Sequence, residues 1–324
     1  MVATLLMLDY NCSSHLLVTG RRLVAEKLHS FIGIDIGGTN LRGALISSGG
    51  EVLQRFRMLS MIHEGREPFL DRLQQGVSGL MATADAHGLS VGGVGVGVPG
   101  LIDRHGVVHS SVNMPALEGL GLREQLESQL KLPVRCANDA NLIALGEARY
   151  GAGQGLDSMM VITIGTGLGS GLILNRRLWE GSNGFAAEFG HVTVEPEGFP
   201  CPCGNRGCLE QYVSATALRR LSGGLEAAEL AQLAREGDHD AHQLFCQLGR
   251  HLGIAVAGLL NVLNLDGIVI GGGVSASFDL FQVPLVEELQ RRTFAQILAG
   301  VGVRQAALGD DAGLLGAALL VMDA

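Results

Sequence analysis

The stretch FIGIDIGGTNLRGALIS, residues 31–47, and the stretch MMVITIGTGLGSGLILN, residues 159–175, decide how this chain is read. In the first, a strand pattern FIGIDI runs into a glycine turn GGTN and out through LRGALIS; a second turn, SGG, leads to EVLQRFRM. In the second, MMVITI is followed by GTGLGS, then GLILN, then a turn and RLWEG. The unit starts at Phe31 and again at Met159, 128 residues later. A duplicated strand, glycine loop and strand predicts two similar α/β domains facing one another across a ligand cleft, each lending a backbone-rich loop to whatever lies between.

The intervening sequence fits that plan. Apolar residues at three- and four-residue spacing predict helices over 67–88 and 122–130, and the runs VGGVGVGVP (91–99) and PVRCAND (133–139) read as strands. This is βαβ order, so the sheet is expected to be mixed and largely parallel. Further on come ALRRL, LEAAELAQLARE and the long helical pattern 240–264, then a strand DGIVIGGGV and a C-terminal helix in DDAGLLGAALLVMDA. The expected division is an N-terminal extension, 1–30; a first domain, 31–150, completed by the helix 310–324; and a larger second domain, 151–309. A short ordered hinge is expected near Tyr150–Gly155.

A chain of 324 residues is long enough for two well-buried cores. Its 48 glycines are about twice the usual share, which calls for tight turns and close backbone approaches. The net charge of -9, without any run of four basic residues, argues against a nucleic-acid partner. The first 30 residues carry short apolar runs broken by Asp9 and YNCSSH, with no basic segment ahead of them, and read as neither signal peptide nor membrane span. The expected compartment is the cytoplasm, where disulfides are disfavoured. Cys12, Cys136 and Cys246 stand apart and read as small buried apolar side chains.

Asp35 closes the first strand ahead of Gly37, Gly38 and Thr39, a turn that suits either a phosphate cradle or a plain hairpin. A second such loop at GTGLGSG strengthens the cradle reading, though neither is followed by the Gly-Lys-Ser/Thr of a P-loop. Gly95, Gly97 and Gly100 match GxGxxG, but Pro99 and LIDRHGVVHSSVN predict extended chain there instead of the helix that a dinucleotide site requires. Asn138 and Asp139 end a strand just before a helical stretch. Asp139 could reach a cleft as a general base, or serve only as the helix N-cap. The run CPCGNRGC, with His191 ten residues ahead of Cys201, could be a disulfide clip, a redox pair, a metal cage or a packing feature.

Taken in order, DIGGTN, NDAN, GTGLGSG, AEFGH, CPCGNRGCLE, IGGGV and DDAGLLGAA resemble the ROK family of bacterial sugar kinases, and its glucokinases in particular. The resemblance covers residues 31–324 and implies the actin-like ATPase and hexokinase fold. It further implies ATP-dependent phosphorylation of a hexose at its terminal hydroxyl, glucose foremost, with N-acetylmannosamine, N-acetylglucosamine, allose or fructose as alternatives. By the same resemblance Asp139 is the base, and Asn113, Asn138, Glu188, His191 and Glu210 are sugar ligands. Gly37, Gly38, Thr39, Thr166 and Gly167 are implied phosphate contacts, Gly271, Gly272 and Gly273 lie on the adenosine side, and Asp35 is nearest Mg²⁺ through water. His191, Cys201, Cys203 and Cys208 match the family's structural zinc ligands, and a homodimer or larger homo-oligomer is implied.

This sequence departs from the family in its first 30 residues, in Ala187 where a glycine is common, and in Asn40 where lysine is common. Two rival functions are a sugar-responsive transcription regulator, which the acidic charge disfavours, and a zinc hydrolase, which would need an open coordination position.

Overall fold

The computed structural model describes residues 29–111 and 114–323. The first half contains β1 (His29–Ile36), β2 (Asn40–Ser47), β3 (Val52–Leu59), α1 (Arg66–Ala86), β4 (Ser90–Val98), the hairpin β5 (Leu101–Ile102) and β6 (Val108–Ser110), α2 (Leu122–Leu130), β7 (Val134–Asn138) and α3 (Asp139–Tyr150). The second contains β8 (Met159–Ile164), β9 (Leu168–Leu174), β10 (Arg177–Leu178), α4 (Ala215–Leu221), α5 (Ala227–Arg235), α6 (His239–Leu263), β11 (Gly267–Gly271), α7 (Phe278–Arg292), α8 (Ala295–Leu298) and β12 (Gly302–Gln305), before α9 (Asp311–Met322). Two five-stranded sheets result, in the orders β3-β2-β1-β4-β7 and β10-β9-β8-β11-β12. Each is antiparallel through its first strands and parallel beyond, as the repeated hairpin followed by βαβ units requires.

Helix periodicity explains the cores. The inward face of α1 carries Phe69, Leu73, Val77, Leu80 and Ala84, packed with Ile32, Ile34, Val94 and Val96 of the first sheet. In the second half, Phe245, Leu248, Leu252, Val256 and Leu260 of α6 meet Ile162, Ile268 and the α7 residues Phe281 and Leu285. By length and composition α6 could cross a membrane, yet this stripe is buried within the protein.

α9 is apolar all round, with Ala312, Leu314, Leu315, Ala317, Ala318 and Leu319 buried, because it lies against β1, β4 and β7 on one side and α3 on the other. α3 in turn rests on β8 and β9 of the second sheet. Glycines permit this stacking. A Cβ at Gly95 would fall inside the van der Waals radius of the Ala317 carbonyl, one at Gly33 would strike that of Leu314, and one at Gly316 that of Leu142. Gly95 therefore serves close sheet-to-helix contact, and Pro99 and Gly100 do lead into the β5–β6 hairpin instead of a helix.

The chain passes from α3 to β8 through residues 151–158 and from β12 to α9 through 306–310. The fully buried carboxylate of Glu147 accepts hydrogen bonds from Ala152 N on the first passage and from Ala307 N and Leu308 N on the second, at 2.8 to 3.1 Å. One carboxylate thus fixes both passages against the end of α3.

Some expectations change. The strand expected at RLWEG is two residues long, and β9 begins at Leu168, so the glycine loop proper is Gly165–Gly167. Gly169 and Gly171 belong to the strand and leave room for the Ala140 and Ala144 methyl groups of α3. Cys136 is buried, but Cys246 is only half-buried, with its Sγ 3.6 Å from His242 Nδ1. Cys12 and the rest of the chain ahead of residue 29 lie outside the described residues.

Gly95→Ala should lower the unfolding free energy in urea by about 3 kcal/mol or more, the upper end for overpacking, because the obstacle is backbone. Gly79→Ala, on the open face of α1, should instead raise it by roughly 0.5–1 kcal/mol. Equal effects at the two positions would contradict the stacking just described.

Candidate active site

Each half carries a glycine loop after its first strand, Gly37–Thr39 after β1 and Gly165–Gly167 after β8. In the first, the carbonyls of Gly38 and Thr39 are taken by Ser60, whose hydroxyl donates to Gly38 O at 2.8 Å and whose N–H donates to Thr39 O at 2.9 Å. In the second, Ala215 N donates to Gly165 O at 2.8 Å and Thr216 Oγ1 to Thr166 O at 2.7 Å. The N–H groups of Gly38, Thr39, Thr166 and Gly167 find no acceptor among the described residues. Carbonyls held from behind and amides left free are the arrangement an anion cradle needs. Beside the second, Gly272 sits at φ 82° where a Cβ would meet the Ile164 carbonyl, so the turn Gly271–Gly273 abuts the start of the loop.

Asp35 sits behind the first cradle. The β1–β2 register pairs it with Arg42, whose guanidinium holds its carboxylate through Nε at 3.0 Å and through Nη2, and reaches Asp310 through Nη1 at 3.1 Å.

At the start of α3 the cap is Asn138, not Asp139. Asn138 is extended, its Oδ1 accepts from Ala140 N and Asn141 N at 2.9 and 3.3 Å, and its Nδ2 donates to Gly100 O at 3.1 Å. Asp139 accepts from Ala140 N, at 2.9 Å, and remains partly exposed. Protein crowds it on its other sides. That burial, with a lesser push from the Asp35 charge and a further one from Glu188, raises its carboxyl to about 6, against the opposing pull of the Ala140 N–H. Glu188 is raised too, by burial first, with His191 opposing and Glu210 adding. Asp35, Asp139, Glu188 and Glu210 thus form a string of carboxylates within electrostatic reach of their neighbours.

His191, Cys201, Cys203 and Cys208 offer four donor atoms that all lie within 4.8 Å of one another. Cys203 and Cys208 Sγ are 3.7 Å apart, close to the roughly 3.8 Å edge of a tetrahedron with metal–sulfur bonds of about 2.3 Å. His191 turns Nδ1 to Cys201 Sγ at 3.7 Å and Nε2 to Glu188 at 4.0 Å. Four soft and borderline donors in this geometry fit a closed metal site, and the histidine would tie it to Glu188.

The model of the ROK family matches residues 31–324. The chain belongs to the ROK family. A glucokinase of Thermotoga maritima is 35% identical over 312 residues, 90% of this chain and 97% of that one. A ROK glucokinase of Streptomyces griseus, crystallised with glucose and AMPPNP, superposes with a TM-score of 0.76 at 34% identity, covering 91% of this chain and all of that one. A xylose repressor of Bacillus subtilis is 29% identical, covering 94% of this chain and 81% of the repressor. The fold is accordingly that of the ROK hexokinases, of the actin-like ATPase type, and the chain is a ROK-type sugar kinase.

In this ROK chain the residues singled out from sequence converge, except Asn113, which lies outside the described residues. Sequence reasoning overlooked Ser60, Thr216 and Arg42. Arg42 could have been found, because a tight turn at Gly37–Thr39 pairs position 35 with 42. Ser60 and Thr216 come from 22 and 50 residues away, and no local pattern marks them.

A carboxyl that titrates higher in the folded chain than its ordinary value of 3.8 holds its proton more tightly when folded. Its ionisation costs nothing below about pH 4 and the full amount above about pH 6. Asp139→Asn should therefore melt above the parent at pH 8, with the gap closing toward pH 4. A parent that melts higher at pH 8 would contradict an unfavourably placed charge.

Proposed function

We propose that this chain is an ATP-dependent hexose kinase that phosphorylates the terminal 6-hydroxyl, with glucose as the foremost substrate. The observation that carries the reading is Asp139, a partly exposed carboxylate at the start of α3 within reach of the Asp35 and Glu188 charges, raised to about 6 by burial and so a competent base near neutral pH. Its free edge takes the sugar hydroxyl's proton as the oxygen bonds to the γ-phosphorus and the bond from that phosphorus to the β,γ-bridging oxygen breaks, releasing ADP. Asn138 has one Nδ2 hydrogen left for a sugar oxygen, while Glu188 and Glu210 accept hydroxyl hydrogens. The free amides of Gly38, Thr39, Thr166 and Gly167 hold phosphate oxygens, and Gly271–Gly273 flanks the adenosine side. Asp35 would hold Mg²⁺ through water, and the ion would supply charge neutralisation. Asn113 remains a proposed sugar ligand.

His191, Cys201, Cys203 and Cys208 would hold a structural zinc, whose role is to orient His191 and the segments that carry Glu188 and Glu210. The division at 150/151, with 310–324 returning to the first part, is the proposed domain arrangement, and Glu147 lies at its two crossings. Reduced thiols in such a site suit the cytoplasm. A regulator is among the relatives, the xylose repressor that matches 94% of this chain, but the raised carboxyl of Asp139 and the free amides of both loops favour catalysis.

Asp139→Asn should retain glucose binding by calorimetry and lose kcat by about 10²-fold or more. A variant turning over near the parent rate would sink the base assignment. For the parent, kcat/KM should fall as pH drops through about 6, where the base becomes protonated. An ADP-coupled assay over glucose, N-acetylglucosamine, N-acetylmannosamine, allose and fructose identifies the substrate. Cys203→Ser should lose zinc by elemental analysis and weaken glucose binding; full zinc content would count against the cage.

A further inference from the structure

Glu210 does more than face the proposed sugar pocket. It lies in a short 3₁₀ turn, Leu209–Gln211, that begins immediately after Cys208. Its Oε2 accepts the N–H of Leu168 at 2.9 Å, the residue that closes the second phosphate loop. A Cβ at Gly167 would land on that same oxygen, so the loop glycine is what lets the carboxylate sit there. The contact continues along the chain. Glu210 O accepts from Ser214 Oγ at 2.8 Å, Ser214 caps α4, and the next two residues, Ala215 and Thr216, hold the carbonyls of Gly165 and Thr166. From Cys208 to Thr216, one continuous segment therefore supports the loop at both its ends. The other carboxylate oxygen, Oε1, stands off from Gly167, and Glu210 is near enough to Glu188 for its charge to raise that carboxyl.

We propose that Glu210 is a positioning residue for the nucleotide phosphates as well as a sugar contact: one carboxylate oxygen sets the Gly165–Gly167 loop while the other meets the sugar. The loop-setting half stands on the hydrogen bond to Leu168 and the packing on Gly167; only the coupling to sugar rests on the functional reading above. Two ligands that share one carboxylate are thermodynamically linked, and the linkage is reciprocal.

The test is calorimetric binding of AMPPNP with Mg²⁺ in the absence of sugar, and of glucose in the absence of nucleotide, using the zinc-loaded full chain. Glu210→Ala removes the acceptor for Leu168 N–H and should weaken AMPPNP about tenfold, the ratio that ~1.4 kcal/mol corresponds to. Glu210→Gln keeps an acceptor, its amide oxygen, and should stay within roughly threefold of the parent for AMPPNP while losing glucose affinity. Gly167→Ala, at a position without backbone strain, pushes the carboxylate aside and should weaken glucose although the residue lies in the phosphate loop. Parental AMPPNP affinity in Glu210→Ala, or equal losses in Ala and Gln, overturns the positioning role. If Glu210→Ala does not fold, parental AMPPNP affinity in Gly167→Ala, whose methyl group displaces the oxygen that holds Leu168 N–H, overturns it instead. Should AMPPNP follow the expected order while glucose is unaffected by all three variants, Glu210 is not a sugar ligand, and its loop-setting role stands alone.

Discussion

Backbone lies directly on backbone where α9 crosses the first sheet and α3, and nothing larger than hydrogen fits at Gly33, Gly95, Gly146 or Gly316. The two helices are the material between the sheets, so this close approach sets how far apart the sheets stand. It also sets where α3 starts. Ala140, one residue into that helix, lies under Gly169 of β9, which brings Asp139 to the seam beside the second phosphate loop. Interiors pack near crystal density and transmit such displacements, so a methyl group at any of these glycines would move the helix that carries the proposed base.

The site built at that seam is electrostatically costly. Asp139 is crowded by protein and flanked by the charges of Asp35 and Glu188, and of the helix amides it has only Ala140 N, which it shares with Asn138. A base that is unfavourably charged in the empty protein is one that gains by taking a proton from a bound hydroxyl. Elsewhere the same side-chain type is fully compensated. Glu147 receives N–H groups from both passages between the halves and is structural. The difference lies in the surroundings of each carboxylate.

Support from a distance recurs at both loops. Ser60 holds the first from the end of β3, and the segment from Glu210 to Thr216 holds the second from beyond the cysteine cluster. In each case the donors bind carbonyls and leave the loop amides free. The two halves reach the same arrangement with unrelated residues.

Local pattern carried the duplicated hairpins, the amphipathic helices, the glycine turns and the four donors of the cysteine cluster, because each is settled within a few residues or by spacing along the chain. Even there it failed where two readings are locally equivalent. Either Asn138 or Asp139 can cap a helix, and only the extended backbone of Asn138 and its tie to Gly100 give it that task. GTGLGSG reads as one loop, but Gly169 and Gly171 are strand residues whose purpose is the helix passing over them. The tertiary structure alone decided that Ser60 and Thr216 complete the cradles, that Glu147 pins both passages, and that Glu210 reaches Leu168. Apart from Glu147 to Ala152, five positions on, those contacts join residues 22 to 161 positions apart, and their partners are fixed by the packing of the helices between the sheets.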